Sequence, residues 1–505
     1  MPVLDLPVFA DSKKNAQTEN AIRRLTGVYY TLPAAAEFMA NWLVRHDGEH
    51  VLEPSFGDGV FLQAIDASAK QQNLDHIRIT GIEIDEAARA RTRNRLSDIA
   101  SDIDADLRCA DFLSVAPFPV QAVIGNPPYV RLRHLPDDQK ERGLRTAESM
   151  LGQPMEPSGS VWMPFVLHAM RFLASGGRMA LVLPYELTYV RYGRPLWEIL
   201  SRNFGSLQVL RTHERLFPDI LQDVVILLAD GCGECTSTVR YQAFERVEDM
   251  GKNRPVVDEQ ISVEGLLSGQ RLFVEALLEP ELRKLLQTRV AEVTTPARNR
   301  VTFNIGYVSG DKNFFHPTHQ VVREYDLPKS GLRSTLTSTR TLKGIGLKTS
   351  ALKQENTDHL FLPTGDILAP GERSYVKWGE ESGVSSRYKC RVRDPWFLVP
   401  GIRVPDLVLS VFSERPVLLI NDAEHLASNS LLCGFTSGPT SAEIVTSWYT
   451  SLTLLQCELE VHALGGGVMV LIPGEAGNIR LPRQVCVQEE HLDFLDCRLK
   501  KGKTT

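Results

Sequence analysis

The chain has 505 residues, 43% hydrophobic and 23% charged, with 56 basic and 62 acidic side chains and a formal net charge of −6. That length exceeds what one hydrophobic core organises and implies two or three domains, while a near-average composition excludes a collagenous, coiled-coil or disordered chain. No run approaches the ~18 apolar residues of a membrane span, the start MPVLDLPVFADSKKN lacks the pattern of a signal peptide, and eight scattered cysteines fit reduced thiols in a cytoplasmic protein.

Residues 1–26 are polar and unpatterned and read as a loose arm. PAAAEFMANWLV (33–44) predicts a helix, and HVLEP (50–54) a short strand that runs into a glycine-bearing turn. IRITGIEID (77–85) reads as a strand and EAARARTRNRLSDIA (86–100) as a helix, followed by strands at LRCADFL (107–113) and QAVIGNPPY (121–129). A helix over 160–174 leads into the strand RMALVLP (178–184), and PLWEILSRNF (195–204) into SLQVLRTHE (206–214). DVVILLAD (223–230) follows without a helix, so it is expected to pair antiparallel with its predecessor. The alternation predicts an α/β fold: a doubly wound, mainly parallel sheet whose ligands bind at the carboxyl ends of the strands. Beyond 240 the rhythm stops. Residues 258–288 are expected to be a helical connector, and the Thr-, Gly-, Pro- and aromatic-rich remainder a second, α+β domain without internal repeats.

Each of the first four strands ends in residues able to do chemistry. After the first comes Glu53-Pro54-Ser55-Phe56-Gly57-Asp58-Gly59, where Gly57 and Gly59 let the backbone approach a ligand and open the next helix at its positive end. A tight strand-to-helix turn accounts for these glycines about as well, and neither a GxGxxG nor a phosphate-binding Lys-Ser/Thr is present. After the second strand stands Glu83, placed either to accept from ribose hydroxyls or as a plain solvated acid. After the third, Asp111-Phe112 offers an acceptor for an exocyclic amine and a flat apolar face, or an ordinary loop Asp and a core Phe. After the fourth comes Asn126-Pro127-Pro128-Tyr129. Two prolines stop the ladder and stiffen the backbone, so the Asn126 amide oxygen and the Pro127 carbonyl can converge on one amino group, with Tyr129 as a stacking face for a planar base.

This order of strand-end motifs resembles the amino-methyltransferases of DNA, and most closely the gamma-ordered adenine-N6 family that includes the TaqI-type modification enzymes. Gly27-Val28-Tyr29-Tyr30-Thr31-Leu32-Pro33 is similar to that family's methionine-contacting motif, with Leu32 splitting the usual Thr-Pro. The resemblance implies a Rossmann-like, S-adenosylmethionine-dependent catalytic domain over 27–245, a connector over 246–300 and a DNA target-recognition domain over 301–505. It implies that Thr31, Glu53, Pro54, Gly57 and Gly59 hold the methionine part of the cofactor, that Glu83 binds its ribose, and that Ile84, Asp111 and Phe112 enclose its adenine. Asn126 and Pro127 would hold the target amine and Tyr129 would stack on a base flipped out of double-stranded DNA. TaqI-type enzymes carry a second stacking aromatic at the end of the strand matched to DVVILLAD, where this chain has Leu228. Any restriction endonuclease partner is expected to be a separate protein, in a prokaryotic cytoplasm or nucleoid.

Whole-chain acidity speaks against a nucleic-acid partner, but residues 301–403 carry 15 basic and 10 acidic side chains. RYKCRVRDPW (387–396) is expected as a basic strand with Arg391 and Arg393 on one face, so that Arg387, Lys389, Arg391 and Arg393 reach DNA, or as a solvated surface strand. Arg131, Arg133 and His134, directly after Tyr129, are candidate phosphate clamps, or equally part of a mobile solvated loop. No Pro-Cys nucleophile of a carbon-5 cytosine methyltransferase is present, and Cys232-Gly-Glu-Cys235 stands alone, so no metal is expected. The rival readings are a cytosine-N4, RNA or protein-glutamine methyltransferase, or a catalytically silent DNA-specificity subunit.

Overall fold

A computed structural model describes residues 31–98, 103–214, 216, 223–353, 357–364, 367–413, 415–463, 469–483, 487 and 489–501. The expected arm and the segment Gly27–Tyr30 lie outside the described residues. The chain divides into two compact units, Met1–Glu279 and Pro280–Thr505.

In the first unit, α1 (Pro33–Leu43) precedes β1 (His50–Glu53), α2 (Val60–Gln72), β2 (Arg78–Glu83), α3 (Glu86–Asp98), β3 (Asp104–Cys109) and β4 (Val120–Gly125). After α4 (Asp137–Leu151) and α5 (Trp162–Met170) come β5 (Leu173–Pro184), α6 (Arg194–Asn203), β6 (Phe204–Thr212), β7 (Val224–Cys232), β8 (Thr238–Phe244) and β9 (Val257–Ser262). These strands form one sheet in the order β3-β2-β1-β4-β5-β7-β6-β8-β9. β1 pairs parallel with β2 on one side and with β4 on the other, so the winding reverses between β1 and β4. A crevice for a ligand opens at the carboxyl ends of strands where that reversal occurs. β7 lies antiparallel between β5 and β6, as its lack of a preceding helix predicts.

The central strands are apolar on both faces because helices cover both. Val51, Ile124 and Val182 pack with Met39 of α1 and Phe61 and Ile65 of α2. Leu52, Val123 and Leu181 point the other way, against Trp162 and Val166 of α5 and Trp197 of α6. The sheet therefore rests on period-2 alternation of apolar residues that differ only in which helices they meet.

The expectation of a helix from 258 is corrected at its start. Val257–Ser262 is a strand, paired antiparallel with β8, and the sheet continues past 245 to Ser262. Asp258 binds Arg240 on the neighbouring strand through both oxygens, at 2.8 and 2.6 Å, and takes Gln242 at 3.1 Å. Helices begin only at Val263–Ser268.

The second unit is α+β. Val301–Ile305, Leu431–Thr436, Leu407–Ser410 and Leu418–Ile420 form an antiparallel four-stranded sheet. A three-stranded sheet of Asp358–Phe361, Leu332–Leu336 and Leu426–Ala427 lies beside a separate aromatic core built on Phe314, Phe361 and Tyr375. The basic strand expected at 387–396 is absent: Tyr388–Arg391 is a helical turn. Alternation fails there because Cys390 is buried while Tyr388 and Val392, two residues away on either side, are 64% and 66% exposed.

Candidate active site

The carboxyl ends of β1, β2, β3 and β4 meet around one cleft, whose wall includes Thr31, Glu53, Gly57, Glu83, Asp111 and Asn126. Pro54, Ile84, Phe112 and Pro128 also line it, whereas Gly59 and Pro127 are buried beside it and Tyr129, half-buried, is not among its lining residues. Four segments that lie between Glu53 and Tyr129 in the chain converge there because each follows directly from a strand of the parallel half.

Glu53 closes β1 and is fully buried, and neither carboxylate oxygen has a hydrogen-bond partner among the described residues. Burial, reinforced by the Glu83 carboxylate, holds its carboxyl well above the ordinary range. Glu83 spends its two oxygens on the backbone: Oε2 accepts from Gly57 N and Oε1 from Asp85 N, both at 2.9 Å. It thereby staples the β1 turn to the β2 turn. Gly59 caps α2 in the left-handed region, φ +77°, and a Cβ there would stand 2.6 Å from Thr92 Cγ2. Thr92 is buried and donates to Gly57 O at 2.9 Å, so it cannot swing aside without releasing the turn.

Asn126 donates from Nδ2 to Thr31 Oγ1 at 3.3 Å, and Ser55 Oγ donates to the Asn126 carbonyl at 3.1 Å. The first bond fixes the rotation of the amide, and the second locks the backbone as it enters the prolines. Tyr129 wedges between the two core faces and donates its hydroxyl to Val182 O at 3.0 Å, which tethers the ring to β5.

At the end of β3, Asp111 caps the turn Phe112–Ser114 through Leu113 N at 3.0 Å, and its other oxygen takes Arg142 Nε at 2.9 Å. Phe112 is buried within a ring cluster, stacked 5.5 Å from Phe172 and tilted against Phe165, and still contributes to the cleft wall. Ile84, 55% exposed, is the open apolar side of the same wall.

Leu228 does not occupy a site position. It is buried in mid-strand opposite Ala180, because β7 runs antiparallel to β5: the end of β7 level with Pro184 is its first residue, Val224. Residues 217–222, just before it, lie outside the described residues. Arg131 is not a free phosphate clamp either, since its guanidinium binds Glu186 Oε2 at 3.1 Å. Arg133 is exposed and touches His134 Nε2 at 3.2 Å.

In the second unit the four expected cations separate into two kinds. Arg387 pairs with the buried Asp311, and Arg393 donates to the carbonyls of Ser309 and Val308 at 2.8 and 2.6 Å, so both brace the loop 308–311. Lys389 and Arg391 instead flank the exposed Tyr388 ring, at 5.6 and 5.4 Å from its centroid. Arg142, Ser55 and Glu186 are the site neighbours that sequence reasoning missed. Ser55, in the turn after β1, and Glu186, just past the end of β5, carried a positional signal, since both follow a strand end, whereas Arg142 did not.

Residues 13–192 match the family model described as N-6 DNA Methylase, and residues 270–505 match that of the C-terminal domain of the type II methyltransferase M.Eco57I. Type II methyltransferase M.AccI of Acinetobacter calcoaceticus is 21% identical over 84% of this chain and 78% of its own length. M.XamI of Xanthomonas campestris pv. amaranthicola is 24% identical over 90% of this chain and 85% of its own. Among solved structures, the nuclease-deletion mutant of the Type ISP restriction-modification enzyme LlaGI shares the fold, with a TM-score of 0.54 and 10% identity. That likeness covers 98% of this chain, which spans 57% of the LlaGI chain. Fold and strand-end cleft define an α/β methyltransferase with an appended carboxy-terminal domain. The matched domains and relatives mark the chain as an adenine-specific DNA methyltransferase, similar over most of its length to type II modification methyltransferases.

Proposed function

We propose that the chain transfers a methyl group from S-adenosylmethionine to N6 of an adenine flipped out of double-stranded DNA, with the gamma order of motifs, and so protects host DNA from a separate endonuclease. The observation that carries this reading is the convergence, in one cleft at the β1/β4 reversal, of Asn126 with the buried Glu53, which has no hydrogen-bond partner among the described residues. A buried carboxylate without donors suits a ligand that brings an ammonium group, because the pair then offsets the cost of burial. Glu53 and Thr31 would hold the methionine end of the cofactor against the turn of Gly57 and Gly59. Glu83, already fixing that turn, would accept from the ribose, and Asp111 from the adenine amine, with Ile84 and Phe112 on the ring. Bound there, S-adenosylmethionine supplies an electrophilic methyl group on a sulfonium.

The residues of the chain then have a positioning task. The Asn126 amide oxygen and the Pro127 carbonyl accept from the target amine, localise its lone pair and stabilise the positive charge that grows on nitrogen. Neither acceptor is basic enough to keep the proton, which leaves to solvent. Tyr129 stacks on the base and offsets part of the few kcal/mol that flipping costs, at ~1–3 kcal/mol per stacked base. No covalent adduct with the protein is needed. Transfer of labelled methyl to plasmid DNA, with sequencing that detects modified adenines, tests the reading. Asn126→Ala should lose at least about a hundredfold in rate while binding DNA normally. An active Asn126→Ala, or label on cytosine, refutes it.

A further inference from the structure

β5 ends at Pro184 and the chain turns as a 3-10 helix over Tyr185–Thr188. Glu186 in that turn draws three side chains onto one carboxylate: Trp162 Nε1 at 3.0 Å and Tyr192 Oη at 2.6 Å on Oε1, and Arg131 Nη2 at 3.1 Å on Oε2. Arg131 Nη1 also donates to Ser158 O at 3.3 Å and lies 3.4 Å from Tyr192 Oη. The Glu186 side chain is only 13% exposed, so these are well-shielded, charge-assisted contacts.

The donors belong to separate segments. Arg131 lies two residues past Tyr129, Trp162 opens α5, and Tyr192 lies in the turn before α6. Between the first two, Val130 and Val161 line the cleft and are joined by Val161 N to Val130 O at 2.8 Å, with Ser160 Oγ on the same carbonyl at 3.2 Å. One carboxylate thus ties together the chain leaving the Asn126–Tyr129 motif and the wall facing it. We propose that Glu186 is a positioning residue for methyl transfer, acting through Arg131 to hold Asn126, Pro127 and Tyr129 in their working geometry. The inference rests on the reading of the site given above.

Removing the carboxylate outright would strand a half-buried guanidinium and could unfold the region. Glu186→Gln is the sharper variant: its oxygen still accepts from Trp162 and Tyr192, while its NH2 meets Arg131 donor against donor and releases that arginine alone. With the full chain, S-adenosylmethionine and a duplex carrying the methylation site, Glu186→Gln should lower the single-turnover rate about 10- to 100-fold. Affinities for the duplex and for S-adenosylhomocysteine should stay within about twofold, because no ligand contact is removed. Arg131→Ala should show the same loss, and the double variant no further loss, since the two act as one unit. A wild-type rate in Glu186→Gln, multiplying losses in the double variant, or a loss accounted for by the unfolded fraction in a melting curve overturns the proposal. If Asn126→Ala is inactive while Glu186→Gln is unimpaired, the positioning role alone falls. If Asn126→Ala stays active, the site reading falls and takes this inference with it.

Discussion

Glu53 carries a stability cost that, in the proposed reading of the site, an incoming ammonium group offsets. A carboxyl held above its ordinary range by burial binds its proton more tightly in the folded state than in the unfolded one. Its contribution is therefore favourable below the unfolded value near 4.5 and is lost as pH rises toward the folded value, after which the cost stays constant. Glu53→Gln removes that charge, so at alkaline pH the ligand-free variant should melt higher than wild type. The same substitution removes the partner of an incoming ammonium. S-Adenosylhomocysteine should bind wild type more tightly as pH rises above the ordinary carboxylate range, because at low pH binding must first expel the Glu53 proton. In Glu53→Gln the affinity should be weaker and flat across the same rise in pH. Calorimetric titration at several pH values checks both, and a parallel pH slope in the variant would remove Glu53 from the cofactor site.

At the scale of elements, the turn from β1 to α2 is built for glycine. Gly59→Ala would place a methyl 2.6 Å from the buried Thr92 Cγ2 and hold a non-glycine residue at φ +77°. Left-handed backbone costs about 1–2 kcal/mol and overpacking about 1–3, so denaturant melting should show a loss of about 2–5 kcal/mol. Adding Thr92→Ala should return part of it by removing the obstructing methyl; no recovery would mean the steric account is wrong. Turns of this kind were readable in the sequence because strand, glycines and helix follow one another within ten residues. The same locality made the ends of β2, β3 and β4 legible, each with its acid or Asn-Pro-Pro-Tyr attached. The partners of Arg142 and Glu186 were not legible, since they stand 31 and 55 residues away and an Arg on a polar helix carries no mark of its target. β9 was misread because its few apolar residues, with Val263 and Leu266 beyond, suit a helical period as well as a strand. At 387–393 a basic, aromatic-flanked run looked like an alternating strand, but Cys390 is buried while Tyr388 and Val392 are exposed, and Arg391 N donates to Arg387 O at 2.9 Å, as a helical turn requires.

For the molecule as a whole, the net charge of −6 says little about how it meets DNA. Counterion release counts the cations that touch phosphates, each worth about 0.9 in the slope of log K against log salt, whatever the rest of the chain carries. The structure divides the expected cations by occupation. Arg387 and Arg393 are consumed in bracing the loop 308–311, and desolvation lowers the affinity of Arg393 for its proton. Lys389 and Arg391 hold no carboxylate among the described residues and sit on an exposed tyrosine, a grouping that can meet a backbone phosphate at little cost. Replacing both by alanine should leave thermal stability unchanged and reduce the magnitude of the salt slope by about 2, as read by fluorescence anisotropy on one duplex from 50 to 200 mM salt. Arg393→Ala should do the reverse, lowering the melting temperature of the second unit while leaving the slope of the folded protein as it was. An unchanged slope in the Lys389/Arg391 variant would place the phosphate contacts elsewhere in the basic stretch, and a reduced slope in Arg393→Ala would make that arginine a contact rather than a brace.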